Sequence, residues 1–183
     1  IFKNCNLLEY NEYNECLYLG SEEKPYLWLV GYINKNITNL VMHEDTIAIL
    51  PSAFYGCGYL ESVTISDKVS VLPKQCFSGC TSLKTINFGT GLEKIEAEAF
   101  YNCASLTSIK IPEGVISIGG YAFYYCKALK NVTIPTSVYS INRDAFYCCD
   151  FLTTVYYEGT KEQWDIICPS NCYELVNASK VYN

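Results

Sequence analysis

Eleven cysteines and one histidine, His43, are the most reactive side chains in this 183-residue chain. That inventory raises three chemistries: a thiolate nucleophile activated by an imidazole, a thiolate-bound zinc ion, and a disulfide framework of the kind that staples exported domains. Spacing decides among them. Cys57, Cys80, Cys103, Cys126, Cys149 and Cys172 recur every 23 residues, and the first five each follow a phenylalanine by three, in AFYGC (53–57), CFSGC (76–80), AFYNC (99–103), AFYYC (122–126) and AFYCC (145–149). Cys76 and Cys168 fall in the alanine column beside them, leaving Cys5, Cys16 and Cys148 outside the pattern. Cysteines held in such a phase mark a repeat, which has to be read before any site.

The elements that place these cysteines follow from the other columns. Leu60, Leu83, Leu106, Leu129 and Leu152 lead each unit, followed by Val63, Ile86, Ile109, Val132 and Val155, then Ile65, Phe88, Ile111, Ile134 and Tyr157. The resulting L-x-x-[VI]-x-I alternates like a strand with one buried face. A second short extended piece carries Ile49, Leu72, Ile95, Ile118 and Ile141, and A-F-x-x-C suits one helical turn that buries Phe and Cys together. One strand and one turn cannot cover their own apolar side, so the units must stack, with strands pairing in parallel at about 4.8 Å per rung. The expected fold is an α/β solenoid of 23-residue period, with parallel strands on the concave face and short helical turns opposite. Residues 1–33 are expected to form an N-terminal cap with a β-hairpin whose connection contains Gly20 and Pro25, and residues 34–158 the repeats. Residues 159–183 are expected to hold a degenerate last repeat and a C-terminal cap in the same domain. Thr160 and Gln163 there form a capping box ahead of Trp164, Ile166 and Ile167.

The register weakens each of the three chemistries. Neighbouring ladder cysteines have Cβ atoms about 4.8 Å apart and parallel, beyond the roughly 3.5–4.5 Å that a disulfide needs, so most are expected as buried thiols. Zinc at Cys148, Cys149, Cys168 and Cys172 is the rival reading, but column phase already accounts for three of the four. No metal and no cofactor is expected. His43 shares an outward column with Ser66, Gly89, Pro112, Pro135 and Glu158, so it is expected to be exposed on the sheet and away from the inward thiols. No carboxylate pair is expected to survive the register. GTGLEK (89–94) lacks the lysine-plus-hydroxyl ending of a phosphate loop. Catalysis is therefore not expected, and a cysteine hydrolase is the remote alternative.

A net charge of −6 with scattered basic residues gives no surface for nucleic acid. The longest apolar stretch, YLWLVGYI (26–33), is too short for a helix that crosses a bilayer. Binding would instead be written on the outward strand positions. One column reads Asn39, Ser62, Thr85, Ser108, Asn131, Thr154, Asn177; the next reads Val41, Thr64, Asn87, Lys110, Thr133, Tyr156, Ser179. The candidate contacts are Thr64, Asn87, Lys110, Thr133 and Tyr156, with Tyr156 as aromatic anchor. Plain solvation of a sheet by small polar residues is the alternative. Tyr55, Tyr101, Tyr124 and Tyr147 form a further column on the turn side, read as half-buried packing. Sequons at Asn36, Asn131 and Asn177 would matter only in a eukaryotic secretory pathway.

The unit I-P-x-x-V-x-x-I-x-x-x-A-F-x-x-C-x-x-L-x-x-V-x-I, seen as IPEGVISIGGYAFYYCKALKNVTI from Ile111 to Ile134, resembles the BspA-like leucine-rich repeat. The likeness covers residues 34–158. ECLYLGSEEKPYLWLV (15–30) and YYEGTKEQWDII (156–167) also resemble segments that flank such repeats in secreted or surface proteins of gut and oral bacteria. The resemblance implies extracellular or cell-surface display and adhesion without catalysis. Its partner would be a protein or glycan on a host or neighbouring cell, bound by a monomer. An architectural spacer within a larger surface protein is the alternative. Cys76 and Cys168 depart from the alanine usual before the aromatic, and the residues present carry no cell-wall anchor motif.

Overall fold

Each repeat contributes two short strands and a tight turn, and the computed structural model, which describes residues 9–167, 175 and 177–182, stacks them into a parallel solenoid. The chain enters through β1 (Asn11–Tyr13), β2 (Cys16–Leu19) and β3 (Trp28–Tyr32), which pair antiparallel. Asn14 and Glu15 link β1 to β2 with φ of 45° and 59°, the left-handed pair that a two-residue hairpin turn demands. The L-x-x-[VI]-x-I segments then form β4 (Asn39–Val41), β6 (Ser62–Thr64), β8 (Thr85–Asn87), β10 (Ser108–Lys110), β12 (Asn131–Ile134) and β14 (Thr154–Tyr157). Between them lie β5 (Ala48–Ile49), β7 (Val71–Leu72), β9 (Lys94–Ile95), β11 (Ser117–Ile118) and β13 (Ser140–Ile141). After helix α1 (Lys161–Ile167), β15 (Ser179–Tyr182) pairs parallel with β14.

The core consists of ladders. Phe54, Phe77, Phe100, Phe123 and Phe146 stack with ring centroids 4.9–5.5 Å apart and planes within 12° of parallel, and Tyr32 extends the column at 6.0 Å from Phe54. The A-F-x-x-C segment is a set of overlapping i→i−3 turns, such as Tyr55 N–H to the Ser52 carbonyl and Cys57 N–H to the Phe54 carbonyl. Rungs are joined by Phe54 N–H to the Cys76 carbonyl, Phe77 N–H to Ala99 and Phe100 N–H to Ala122, at 2.8–2.9 Å.

The cysteine ladder has its own bonding. Cys80 Sγ donates to the Phe54 carbonyl at 3.3 Å, Cys103 to Phe77 at 3.4 Å, Cys126 to Phe100 at 3.3 Å and Cys149 to Phe123 at 3.1 Å. The carbonyls of Phe54, Phe77, Phe100 and Phe123 thus each accept a backbone N–H from their own turn and a thiol from the next rung. Cys57, Cys80, Cys103, Cys126 and Cys149 are buried thiols, as are Cys16 and Cys76, while Cys148 is half-buried. Cys5, Cys168 and Cys172 lie outside the described residues, so the zinc reading is left with Cys148 and Cys149 within them. Burial pushes the Cys16 and Cys126 thiols up to about 12 and Cys76, Cys80 and Cys103 well above the ordinary value.

Two departures from strict periodicity stand out. The continuous strand ladder implied by the register is broken, since β4-β6-β8 form one sheet and β10-β12-β14-β15 another. Lys84 N–H reaches the Glu61 carbonyl and Lys130 N–H reaches Thr107, but among the described residues no bond of this set joins β8 to β10. The break coincides with a repeat that has Phe88 in an isoleucine column and Gly89-Thr90-Gly91 in its loop. A Cβ on Gly89 would collide with the Ser66 carbonyl, and one on Gly91 with that of Asp67. The glycines let this loop close onto the preceding repeat, where Thr90 N–H donates to Asp67 Oδ1 at 2.8 Å. At the other end Thr154 pairs with Ser179 and Tyr156 with Val181, two residues beyond the 23-residue period that set Asn177 and Ser179 opposite them. The extra length is taken up in the connection that holds α1. A shift of two keeps side chains on the same faces, so Val181 takes the outward place assigned to Ser179. The capping box forms, with Thr160 N–H to Gln163 Oε1 at 2.9 Å and Gln163 N–H to Thr160 Oγ1 at 3.4 Å. Trp164 and Ile167 are buried, whereas Ile166 points to solvent; the Trp164 ring lies 5.3 Å from that of Tyr157.

Three outcomes follow from this packing. Phe100→Ala should destabilise the protein by about 3–5 kcal/mol, read as a fall in denaturant midpoint. Removing residues 159–183 should expose Tyr157 and the open edge of β14 and produce aggregation in light scattering; a truncated chain that stays monomeric with an unchanged melt would refute this. The thiols give a pH dependence of definite sign. Because their native values are raised, the unfolded chain releases protons that the native one retains once pH passes the ordinary thiol value of 9.0. Stability should be level below that pH and decline from about 9 towards 12 as pH rises, and Cys103→Ala with Cys126→Ala should flatten the decline.

Candidate functional site

The strand face is built by outward side chains at one-strand spacing. Thr64 lies opposite Asn87, Lys110 opposite Thr133, and Thr133 opposite Tyr156, so the five candidate contacts fall in two sheets, two in the first and three in the second, which Lys110 leads. Asn87 and Lys110 flank the break between β8 and β10, and both are exposed. The polar groups bond along the columns: Ser62 Oγ to Asn39 Oδ1 at 2.7 Å and Asn87 Nδ2 to Thr64 Oγ1 at 3.3 Å. Apolar side chains stand at both ends, Val41 at one and Tyr156 with Val181 at the other, each more than two-fifths exposed.

Charge on this face is arranged differently from the register's expectation. Lys110 Nζ reaches Glu158 Oε1 at 3.0 Å and, as its hydrogen-bond donor, holds the Glu158 carboxyl below the usual range. Glu158 in turn shares a hydrogen bond with Glu113, whose carboxyl is raised. A carboxylate pair therefore does form. The turn after β10 brings Glu113 to the lysine side of the face, an excursion that a column index cannot show. Glu113 is exposed, and its hydrogen bond with Glu158, ahead of burial, is what raises its carboxyl.

His43 is not an exposed sheet residue. Its ring packs against Tyr26, in the β2–β3 connection, at 4.4 Å and Tyr13, in β1, at 5.0 Å, and its Nδ1 accepts the Asp45 N–H at 3.1 Å. The N-terminal strands had no period from which to infer this. A thiol next to the imidazole would still need to ionise, and burial keeps the ladder thiols protonated far above neutral pH.

The tyrosine column on the turn side becomes a broader surface. Tyr101 and Tyr124 stack at 5.0 Å and 6°, half-buried as expected, but Tyr121, Tyr125 and Tyr147 surround them and are exposed. Lys127 Nζ sits 4.2 Å above the Tyr125 ring, and the hydrogen-bonded Cys148 sulfur pushes the Tyr124 phenol up to about 12. Two positions in every turn are left-handed. Ser52, Gln75, Glu98, Tyr121 and Asp144 have φ near 60°, and so do Gly56, Gly79, Asn102, Tyr125 and Cys148 with φ of 55–77°. The series Gly, Gly, Asn in the second column was the available sign, since those residues tolerate this region.

A family model described as the BspA type leucine rich repeat region matches residues 33–176 in six copies. Among solved structures, a leucine rich cell surface protein from Faecalibacterium prausnitzii A2-165 is 31% identical, with a TM-score of 0.81, over 86% of this chain and 42% of its own. The leucine-rich repeat protein of T. pallidum is 29% identical with a TM-score of 0.72, over 81% of this chain and 71% of its own. A leucine-rich repeat protein from Bacteroides ovatus is 26% identical with a TM-score of 0.71, over 87% and 40%. The chain thus spans less than half the length of the Faecalibacterium and Bacteroides proteins. No curated protein sequence matches it. Six in-phase copies across most of the chain and the parallel solenoid they build lead to one conclusion: the chain belongs to the BspA-type leucine-rich-repeat family.

Proposed function

We propose that this domain is a non-enzymatic binding module of a bacterial surface protein, holding a macromolecular partner against its strand face. The observation that carries the reading is that face itself. Asn39 with Ser62 and Thr64 with Asn87 form two hydrogen-bonded pairs of amide and hydroxyl, with exposed Val41 at one end of the face and Tyr156 with Val181 at the other. Exposed aromatic and aliphatic side chains beside polar groups able to hydrogen-bond are elements from which a protein interface is made. The surface setting rests on the likeness to the Faecalibacterium cell surface protein. Adhesion to a host or neighbouring cell is the finer form of the proposal, with a protein as the partner and the monomer as the binding unit.

Thr64, Asn87, Lys110, Thr133 and Tyr156 are the proposed contacts. Lys110 enters as an ion pair with Glu158, so the face carries little unbalanced charge and partner binding should depend weakly on salt. The test is an array of extracellular-matrix proteins and glycans probed with the domain and with a Thr64→Arg/Thr133→Arg variant. Both threonines face outward, so the variant should keep its melting temperature and lose the captured partner through bulk and unpaired charge. Equal capture by parent and variant would place the interface elsewhere. No saturable capture at all would favour a spacer role.

A further inference from the structure

The strand face opens between β8 and β10, and both walls of the opening are backbone. Elsewhere on this face each rung is tied to the next. Ile65 N–H donates to the Asn87 carbonyl and Ile111 N–H to that of Thr133, both at 2.9 Å, while Lys84 N–H reaches Glu61 and Lys130 N–H reaches Thr107, both at 2.8 Å. The equivalent bonds across the opening, Phe88 N–H to Lys110 and Thr107 N–H to Lys84, do not form among the described residues. Peptide groups alternate in direction along a strand. The Asn87 carbonyl faces β6 and the Ile111 N–H faces β12, so the N–H and C=O of Ile86 and of Lys110 face into the opening. Paired strands stand about 4.8 Å apart. Here at least one of the directly opposite Cα pairs, Thr85 with Ser108, Ile86 with Ile109 or Asn87 with Lys110, is separated by more than 8 Å. The rims do not bridge the space, because the Asn87 amide bonds back to Thr64 and the Lys110 ammonium bonds away to Glu158. The floor is apolar: Ile86 and Phe88 are partly uncovered, whereas their column mates Val63, Val132, Ile65 and Ile134 are buried. On the far side of the same rungs β9 still pairs with β11, so the opening is confined to the strand face.

We propose that this opening receives an extended segment of a protein partner as an added β-strand, an inference that rests on the reading of the strand face as the binding surface. The groups on the walls select the occupant. Backbone donors and acceptors that recur at strand period on both sides are met in register by another polypeptide strand, which has the same period, and capture of a strand at an open sheet edge is a general mode of peptide recognition. Width agrees with this. A strand seated between β8 and β10 needs walls two spacings apart, about 9.6 Å, in line with the separation beyond 8 Å. The floor adds a side-chain requirement, an apolar residue pointing inward between Ile86 and Ile109 and polar residues outward beside Asn87 and Lys110. That is the alternation of this chain's own strands, as in β12 (Asn131–Ile134). Lys110 is already paired with Glu158, so the segment needs no charge to enter.

The test takes the 183-residue chain and, as probe, a synthetic peptide that copies residues 128–136, ALKNVTIPT. In hydrogen exchange of the free chain, the amides of Ile86, Phe88 and Lys110 should exchange about a hundredfold or more faster than those of Ile65 and Ile111. The peptide should bind saturably and slow those three amides. A form N-methylated at alternate residues, which keeps every side chain and loses backbone donors, should bind about tenfold or more weakly. Ser108→Pro removes an N–H that points into the opening. It should weaken binding and leave the melting temperature unchanged, since proline is tolerated where a strand N–H has no ladder partner. Protection of the three amides in the free chain would show β8 and β10 paired and overturn the proposal. So would absence of peptide binding, equal binding by the N-methylated form or by Ser108→Pro, or protection of the same amides by soluble oligosaccharides or by self-association of the chain. The strand-face reading is judged separately: a partner captured on the array and lost in Thr64→Arg/Thr133→Arg sustains it even where the peptide fails.

Discussion

The four rungs that carry Cys80, Cys103, Cys126 and Cys149 are each fastened at one atom, the phenylalanine carbonyl of the preceding turn. It closes its own turn by accepting the cysteine N–H three residues on, and it ties the stack by accepting the thiol of the next rung. A methyl group in place of the thiol would fill similar space but leave that second lone pair unmet. Serine would donate, at a larger desolvation cost for a hydroxyl in so apolar a setting. Cysteine meets both demands, being small and apolar with a weak donor. The phenylalanine rings then stack at a spacing dictated by the strands, so the aromatic column and the backbone ladder share a repeat distance. Reactive chemistry is the loser in this arrangement. The thiols that make the sequence look like a metal or redox protein are the ones that burial holds protonated.

Where the ladder is interrupted, the strand face gains its least regular surface. Phe88 fills an isoleucine column edge-on to Phe100 at 6.1 Å, and the two glycines after it draw the loop back onto Ser66 and Asp67. The consequence appears one layer out, at Asn87 and Lys110, which flank the break. The turn side stays bonded across the same rungs, with Phe77 N–H to Ala99 and Phe100 N–H to Ala122. The solenoid is thus continuous along its turns and divided along its strands, which concentrates any opening of the strand face at one place.

Much of the fold was legible because columns translate directly into depth. Phe54, Leu60, Val63 and Cys57 each announce burial by period alone, and each is buried. Candidate outward residues were equally legible, since alternation fixes the face of Thr64 and Thr133. What escaped was whatever depends on a departure from period. His43 is flanked by Tyr13 of β1 and by Tyr26 of the β2–β3 connection, a part of the chain that carries no repeat. The Glu113–Glu158 pair arises because Glu113 lies on a turn, where column and height no longer correspond. Val181 replaces Ser179 because a helical connection lengthens one repeat by two residues. Periodicity predicts what each repeat must share, so features peculiar to one repeat are invisible to it.

The same reasoning indicates where function accumulates in such a scaffold. A residue that serves the stack is constrained to its column's type, as Leu60, Leu83, Leu106 and Leu129 are. A residue that serves a partner is under no such constraint and stands out against its column. On the strand face one column is uniformly Asn, Ser or Thr from Asn39 to Thr154, and the departures, Val41, Lys110, Tyr156 and Val181, fall in the other. On the turn side the columns are broken at Tyr121 and Tyr125, where the backbone favours glycine or asparagine and the sequence supplies an exposed ring. A stack selected for stability alone would place at 125 what it places at 56 and 79. At 125 the ring instead lies beside that of Tyr124 and beneath the Lys127 ammonium, contacts that no glycine could make.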